Sequence, residues 1–504
     1  MLLSRRITLN RSLSFVVAGR SMSLLHASLY AWVLGLIVLI LLVVSLAQMR
    51  GVKTKADYLV AGRSLPAFVL VFTLLSSWIG AGSLFAGAEN AYRNGFAALW
   101  QPAGGWAGLL LIYFIAPRAR KSAKFTIPDL LEARYNQTAR VLGVIAILFA
   151  YTAIASYQLR GGGDILHLIF PELISSTLGM YIIAAFVIAF TALAGMASVA
   201  YMDVAIGLLV TVALIVSFPI LLQHAGGVAG LRAVLPATHF EALGSITFAR
   251  AMEFFLPTML LMLGNQAMYQ KFFSAKSEKD ARRAVVGWVI GTVILETIIV
   301  AIAVIGSALY TTGEVSQRPR EIIPYTARHG LPAMLGALLL GAVFAKVIST
   351  ANNYLFSPAT NLVNDVFLRY IQPDASNKRV LLVSRLVVVL LGIWALVQAA
   401  YTQSILEKAL YAYTIYSAAL TPVILAAFYS RRINSQGAVS CIAAGTFVTV
   451  FWDTDFVRRY LPAVIAQRDA IFPALLASLL CLFLVSWLTP PPQREKVAQF
   501  LPEV

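Results

Sequence analysis

Ser76-Ser77-Trp78-Ile79-Gly80-Ala81-Gly82-Ser83 lies in the middle of an apolar stretch that runs over residues 66–90. Two glycines and three serines weaken a helix there, at a depth where hydrocarbon offers no water to an unpaired carbonyl. Non-helical backbone survives at such depth only where protein or a water-filled cavity satisfies it. A second apolar stretch, 247–270, carries Pro257 in its middle, which removes one backbone hydrogen bond. A window of about 19 residues places the full set of apolar segments at 28–49, 66–90, 96–116, 138–159, 176–196, 199–223, 247–270, 284–310, 331–356, 379–400, 404–429, 435–452 and 470–489. The interrupted segments are the second and seventh of these thirteen, the spacing that two five-helix inverted repeats require, spans two to six and seven to eleven. Glycine and proline are also common in membrane helices generally, and that plainer reading stands beside it.

Composition agrees with a membrane chain. The 504 residues are 60% hydrophobic and 12% charged, with a mean hydropathy of +0.80. Soluble domains carry roughly a quarter charged residues, so a soluble fold is excluded. Thirty-nine Lys and Arg against 22 Asp and Glu leave a net charge of +17, but the basic residues fall in short clusters between apolar runs. They read as topology signals and not as a nucleic-acid face. Cys441 and Cys481 both lie in apolar segments and are expected to be buried thiols without a disulfide. Five scattered histidines show no metal spacing, and Gly161-Gly162-Gly163 has no preceding strand or following lysine, so it reads as a helix terminus and not a phosphate loop. No enzyme motif stands out.

The charge clusters orient the chain. Arg50, Lys53, Lys55 and Arg63 in the first loop, Arg118, Arg120, Lys121, Lys124 and Arg134 in the third, and Lys271, Lys276, Lys279, Arg282 and Arg283 in the seventh share one face. The positive-inside rule makes it cytoplasmic. Arg369, Lys378, Arg379, Arg431, Arg432, Arg494 and Lys496 fall on that face too, whereas Arg318, Arg320 and Arg328 do not. Odd parity puts the N-terminus outside, where Arg5, Arg6, Arg11 and Arg20 are poorly placed. A start at Met22 would remove them, and no signal peptide is expected. The expected fold is all-α integral membrane with about 13 transmembrane helices: an extension at 1–27, an extra helix at 28–49, repeats at 66–223 and 247–429, two helices at 435–489 and a cytoplasmic tail at 490–504.

Five segments carry a resemblance. They are Asp57-Tyr58-Leu59-Val60-Ala61-Gly62-Arg63-Ser64; Thr126-Ile127-Pro128-Asp129-Leu130-Leu131-Glu132-Ala133-Arg134-Tyr135; Ala194-Gly195-Met196-Ala197-Ser198 followed by Asp203; Gly264-Asn265-Gln266 continuing through Lys271 to Ala281; and Ser349-Thr350-Ala351 running on to Asp365. In order and spacing they resemble the sodium:solute symporter family, which includes the proline, sugar and pantothenate symporters, over roughly residues 45–450. The resemblance implies a five-plus-five inverted repeat in the cell membrane and cation-coupled symport of a small-molecule solute, with Na+ as the coupling ion. Membrane lipid is the surrounding partner, no nucleic acid is implied, and oligomeric state is not encoded in any feature found.

The resemblance also implies a site. Sodium sits between the broken first core helix and the eighth, which here puts carbonyls at Ser76, Ile79 and Lys346 and hydroxyls at Ser349 and Thr350, with Asp203 near the exit path. All-oxygen ligands suit a hard cation, although the hydroxyls could bond back to their own helix. Substrate-contact positions map onto Ser83, Trp100, Gln101, Thr258 and Thr414. Glu253 and Glu296 are further acids in or near apolar spans; an acidic cavity would favour an amine, and either could instead pair with a hydroxyl or stay protonated.

Three positions depart from the family pattern, the first being Ala194 in place of the first glycine of a double-glycine signature. Trp78 replaces a small polar or acidic residue, and Lys346 replaces a small one on the helical face of Ser349 and Thr350. Ionisable groups within a span cost roughly 2.5–3.5 kcal/mol on insertion scales, which makes Lys346 and Asp203 functional candidates. Either sodium binds with the lysine turned away, or the ammonium replaces the ion and coupling is to H+ or to no ion. A solute sensor without transport is a further class, and the short tail leaves no room for a fused kinase domain.

Overall fold

A computed structural model describes residues 29–44, 47, 54–122, 124–193, 196–312, 314–452 and 454–501. The extension 1–27, Arg50, Lys53 and the Ala194-Gly195 pair lie outside the described residues. The main helices are α1 (Leu29–Val44), α2 (Ala67–Trp78), α3 (82–94), α4 (Trp100–Lys121), α5 (Gln137–Ile169), α6 (Ser176–Leu193) and α7 (Met196–His224). They continue with α8 (Phe248–Gly264), α9 (Gln266–Ser274), α10 (Glu278–Leu309), α11 (Ala333–Ile371), α12 (Asn377–Tyr401), α13 (Ile405–Tyr429), α14 (Ser435–Trp452) and α15 (Ile471–Leu488). Described helix lies within each of the thirteen predicted apolar segments, and ten described stretches are individually long and apolar enough to cross a membrane.

The starts follow local chemistry. Thr126, Asn136, Thr247 and Ser277 each place a side-chain oxygen on an otherwise orphan N–H of the first turn. Packing then repeats itself: α2 lies on α7 as α8 lies on α13, α4 on α8 as α10 on α2, and α5 on α13 as α11 on α7. The pairs α5–α12 and α11–α6 exchange in the same way. This is the five-plus-five arrangement. One isolated bridge, Leu65 with Ala275, ties the entry of α2 to the exit of α9 through hydrogen bonds of 3.1 and 2.9 Å.

Four expectations need correction. Gly161–Gly163 is not a helix terminus but lies inside α5, because a side chain at Gly163 would come within 2.5 Å of the Ser176 carbonyl on the closely packed α6. Pro257 sits inside α8, and the helix breaks instead at Asn265 (ψ 115°). Lys271 is not in a loop; α9 carries it fully buried into the core. Cys441 is buried but Cys481 is partly exposed, and both are free thiols.

Candidate functional site

The first break forms where α2 ends at Trp78 and Ile79 turns extended (ψ 113°) before Gly80. Ala81 recovers its partner outside the helix, donating to Gln158 Oε1 at 2.7 Å. Gly80 is required by a neighbour, since a Cβ there would sit 2.7 Å from Thr350 Oγ1. At the second break the orphan amides of Gln266 and Ala267 donate to the hydroxyls of Tyr416 and Tyr151, each at 2.9 Å. Ser417, Thr421 and Tyr269 donate to the carbonyls of Pro257, Leu260 and Leu263. Protein side chains thus supply what hydrocarbon cannot.

Thr350 reaches across from α11 to the first break. Its Oγ1 lies 3.0 Å from the Ser76 carbonyl, 3.1 Å from that of Ile79 and 2.9 Å from that of Lys346. One hydroxyl proton serves one acceptor at a time, so four oxygens converge with donors in short supply. Lys346 is fully buried and points into the same region, its Nζ donating to Ser76 Oγ at 2.8 Å. Ser349 turns the other way and donates to Asp203 Oδ1.

Asp203 is the hub beneath this region. It is fully buried, and Thr73 donates to its Oδ2 at 2.5 Å. Lys271 Nζ stands 4.0 Å from Oδ2 and donates to the Thr73 carbonyl at 2.7 Å, to Asn353 Oδ1 at 2.8 Å and to Ser77 Oγ. Two ammoniums therefore flank the converging oxygens. Lys271 was legible only as one basic residue of a loop cluster; its position within the apolar stretch 247–270 plus one residue was the signal that it belongs to the helix.

Above the breaks, Trp78, Ser83, Gln101, Glu296 and Tyr413 line a small cavity with Gly87, Ala98, Pro102 and Val300. Its free space is about 10 Å³, room for roughly one water, so side chains must part before a solute enters. Ser83 donates to Glu296 Oε1 at 2.6 Å. The other substrate-contact positions are not brought to this cavity. Trp100 donates to the Ala242 carbonyl at 2.8 Å and packs edge-on against Phe248 and Phe255. Thr258 bonds back to the Phe254 carbonyl at 2.7 Å, and Thr414 is buried with its hydroxyl unpartnered among the described residues. Glu253 pairs with Arg250 at 2.7 Å.

Charge on the opposite side is locally compensated. Arg320 lies 3.1 Å from buried Asp164, and Arg318 3.9 Å from Glu321. That pairing explains why these arginines break the charge rule. Burial beside Asp164 pushes the Glu321 carboxyl up to about 7, against the pull of Arg320 and Arg318. Near the other ends of the helices Arg140 binds Asp365 at 2.6 Å and Asp129 at 3.4 Å, and Thr126 donates to Asp365 at 3.0 Å, which fixes the Thr126–Tyr135 motif onto α5 and α11.

Comparison with known proteins agrees with this geometry. The model of the sodium:solute symporter family matches residues 58–445. The high-affinity proline transporter PutP of Bacillus subtilis (strain 168) is 25% identical over 90% of this chain and 96% of its own length. A sodium/proline symporter of Staphylococcus aureus is 23% identical over 90% of this chain and 91% of its own. Among solved structures, a Na+-coupled sialic acid symporter in a substrate-bound outward-open state superimposes with a TM-score of 0.78 at 16% identity, covering 92% of this chain and 98% of that one. Mhp1, a nucleobase-cation-symport-1 family transporter, superimposes with a TM-score of 0.58 at 14% identity, over 89% and 99%. With two broken helices facing one another inside a five-plus-five core and the family model spanning most of its length, this multi-pass membrane chain belongs to the sodium:solute symporter family of cation-coupled secondary transporters.

Proposed function

We propose that the protein carries a small polar solute by alternating access around the two breaks and couples it to protons, the Lys346 ammonium standing where relatives of this family place sodium. The observation that carries this is the direction of Lys346: it donates into the break at Ser76 Oγ instead of turning away. A sodium ion added there would face the positive charge of Lys346, that of Lys271 being paired with Asp203, at a place where screening is weak. Sodium symport is the second reading, favoured by the three carbonyls around Thr350 Oγ1, which together with that hydroxyl make an all-oxygen set that suits a hard cation. Uptake in proteoliposomes under separate sodium and proton gradients tests it. Proton-driven uptake at full rate in sodium-free buffer, lost on Lys346→Ala, is expected. Strict sodium dependence of the unmodified protein would leave the second reading alone.

The same proposal assigns the parts. Residues 66–223 and 247–429 form the two repeats, with 28–49 and 435–489 as added helices and 490–504 as a cytoplasmic tail. The exchange of packing partners supports this division. Ser83, Gln101 and Glu296 hold solute, with Trp100, Thr258 and Thr414 along its route. Ser76, Ile79, Lys346, Ser349 and Thr350 form the coupling site above Asp203. The basic segments 50–64, 117–137 and 271–283, in the last of which α9 buries Lys271, face the cytoplasm.

A further inference from the structure

The basic residues at one end of the bundle are not all answered by acids. Arg140 and Arg369 share Asp129, Glu132 and Asp365. At the seam between α4 and α10 the balance is different. Arg118, Arg120 and Lys121 close α4, while Lys276 precedes α10 and Lys279, Arg282 and Arg283 lie in its first two turns. None of these seven forms an ion pair among the described residues. Of the two acids in the same segment, Asp280 is taken by the Ser277 hydroxyl and the Ala67 amide, which leaves Glu278 against seven cations. Arg120 Nε donates to the Ala275 carbonyl at 2.6 Å, bringing the end of α4 against the entry to α10, and the Arg282 guanidinium lies 5.6 Å from the centre of the Tyr113 ring. The two clusters are therefore one patch, and like charges gathered this way repel unless an anion comes between them.

The surface next to the patch identifies the anion. On α4, Leu111, Phe114, Arg118 and Lys121 follow one another at three- and four-residue steps, and on α10 so do Lys279, Arg283, Val286, Ile290 and Ile294. Each set is a single exposed stripe, basic at its end and apolar along the span, with Phe114 62% and Ile290 56% exposed. A soluble anion makes no use of the apolar part. A diacyl phospholipid carries a phosphate at one end and two hydrocarbon chains beyond it, and so matches both parts.

We propose that the α4–α10 seam is a binding site for an anionic phospholipid, its phosphate among Lys121, Arg282 and Arg283 and its chains along the two stripes. The site does not depend on which solute the cavity carries. Native mass spectrometry of the purified full-length protein in detergent tests it, with dioleoylphosphatidylglycerol titrated against dioleoylphosphatidylcholine, which has the same chains and no net charge. The first phosphatidylglycerol is expected to bind at least ten-fold more tightly than the first phosphatidylcholine, and glycerol phosphate in excess to leave it in place. The triple variant Lys121→Gln, Arg282→Gln, Arg283→Gln changes only exposed side chains, so its melting temperature should stay near that of the parent while the preference falls to two-fold or less. Lys378→Gln with Arg379→Gln, equally exposed at the start of α12, should keep the preference. Equal affinity for the two lipids in the parent overturns the site. An unchanged preference in the triple variant, or an equal loss in the Lys378 and Arg379 variant, does so too by making the attraction general. Displacement of the lipid by glycerol phosphate or by a polyglutamate peptide would assign the patch to a soluble anion and overturn the lipid as its occupant.

Discussion

Lys271 Nζ lies 4.0 Å from Asp203 Oδ2, both side chains fully buried, and thereby joins the second broken helix to the helix behind the first. Each charge alone would be untenable at that depth. Lys271→Met is therefore expected to lower stability by about 3–5 kcal/mol through the uncompensated Asp203. The double variant Lys271→Met with Asp203→Asn should recover most of the loss. Melting temperatures of the four proteins in one detergent decide it, and additive losses would show that the pair is not coupled.

Lys346→Ala removes the ammonium from the first break while leaving the carbonyls of Ser76, Ile79 and residue 346 near Thr350 Oγ1. The variant is expected to gain sodium-dependent thermal stabilisation that the parent lacks. A tenfold excess of sodium over its dissociation constant corresponds to about 1.4 kcal/mol. Sodium stabilising the parent as strongly as the variant would count against the ammonium in the ion's place.

Gly80→Ala puts a methyl group 2.7 Å from Thr350 Oγ1 and 2.9 Å from its Cβ. Neither contact can relax by moving a flexible tip, so overpacking of about 1–3 kcal/mol is expected, together with loss of uptake. Gly35→Ala, with nothing within 4 Å of the added carbon, is the matching control and should leave melting and uptake as they are.

Glu321 supplies a pH dependence whose sign can be worked out. Its carboxyl is pushed up to about 7 by burial and by Asp164, from an ordinary 4.5. The folded protein then holds a proton that the unfolded chain has released, so stability falls as pH rises from about 4.5 toward about 7 and is flat above. The change is at most about 3 kcal/mol. Glu321→Gln should flatten the melting-temperature profile over that window; an unchanged slope would assign the dependence elsewhere.

The orientation is open to single-cysteine labelling. Ala275 is fully buried and unsuited, but Lys279 is exposed in the same segment. Lys279→Cys should react with an impermeant reagent only after the cells are opened.

Much of the architecture follows from the sequence alone, because each apolar run must satisfy its backbone by itself in hydrocarbon. The runs, the first break at Gly80 and Gly82 and the five motifs are local features, and local features survive folding. The convergence of Ser76, Ile79 and Thr350 was legible too, through resemblance to relatives. What the sequence could not decide was direction and partnership. Pro257 is a stronger helix breaker on paper than Asn265, yet α8 runs through it, and α13 supplies hydroxyls to the carbonyls around the real break. Ser349 and Thr350 are neighbours that point to different partners, Asp203 and the first break, because adjacent side chains on a helix lie about 100° apart. Lys271 reads as a loop cation until α9 carries it to Asp203, a residue distant in sequence. Only the packed tertiary structure sets those pairings, since a buried charge or hydroxyl takes its role from whatever the other helices bring within hydrogen-bond reach.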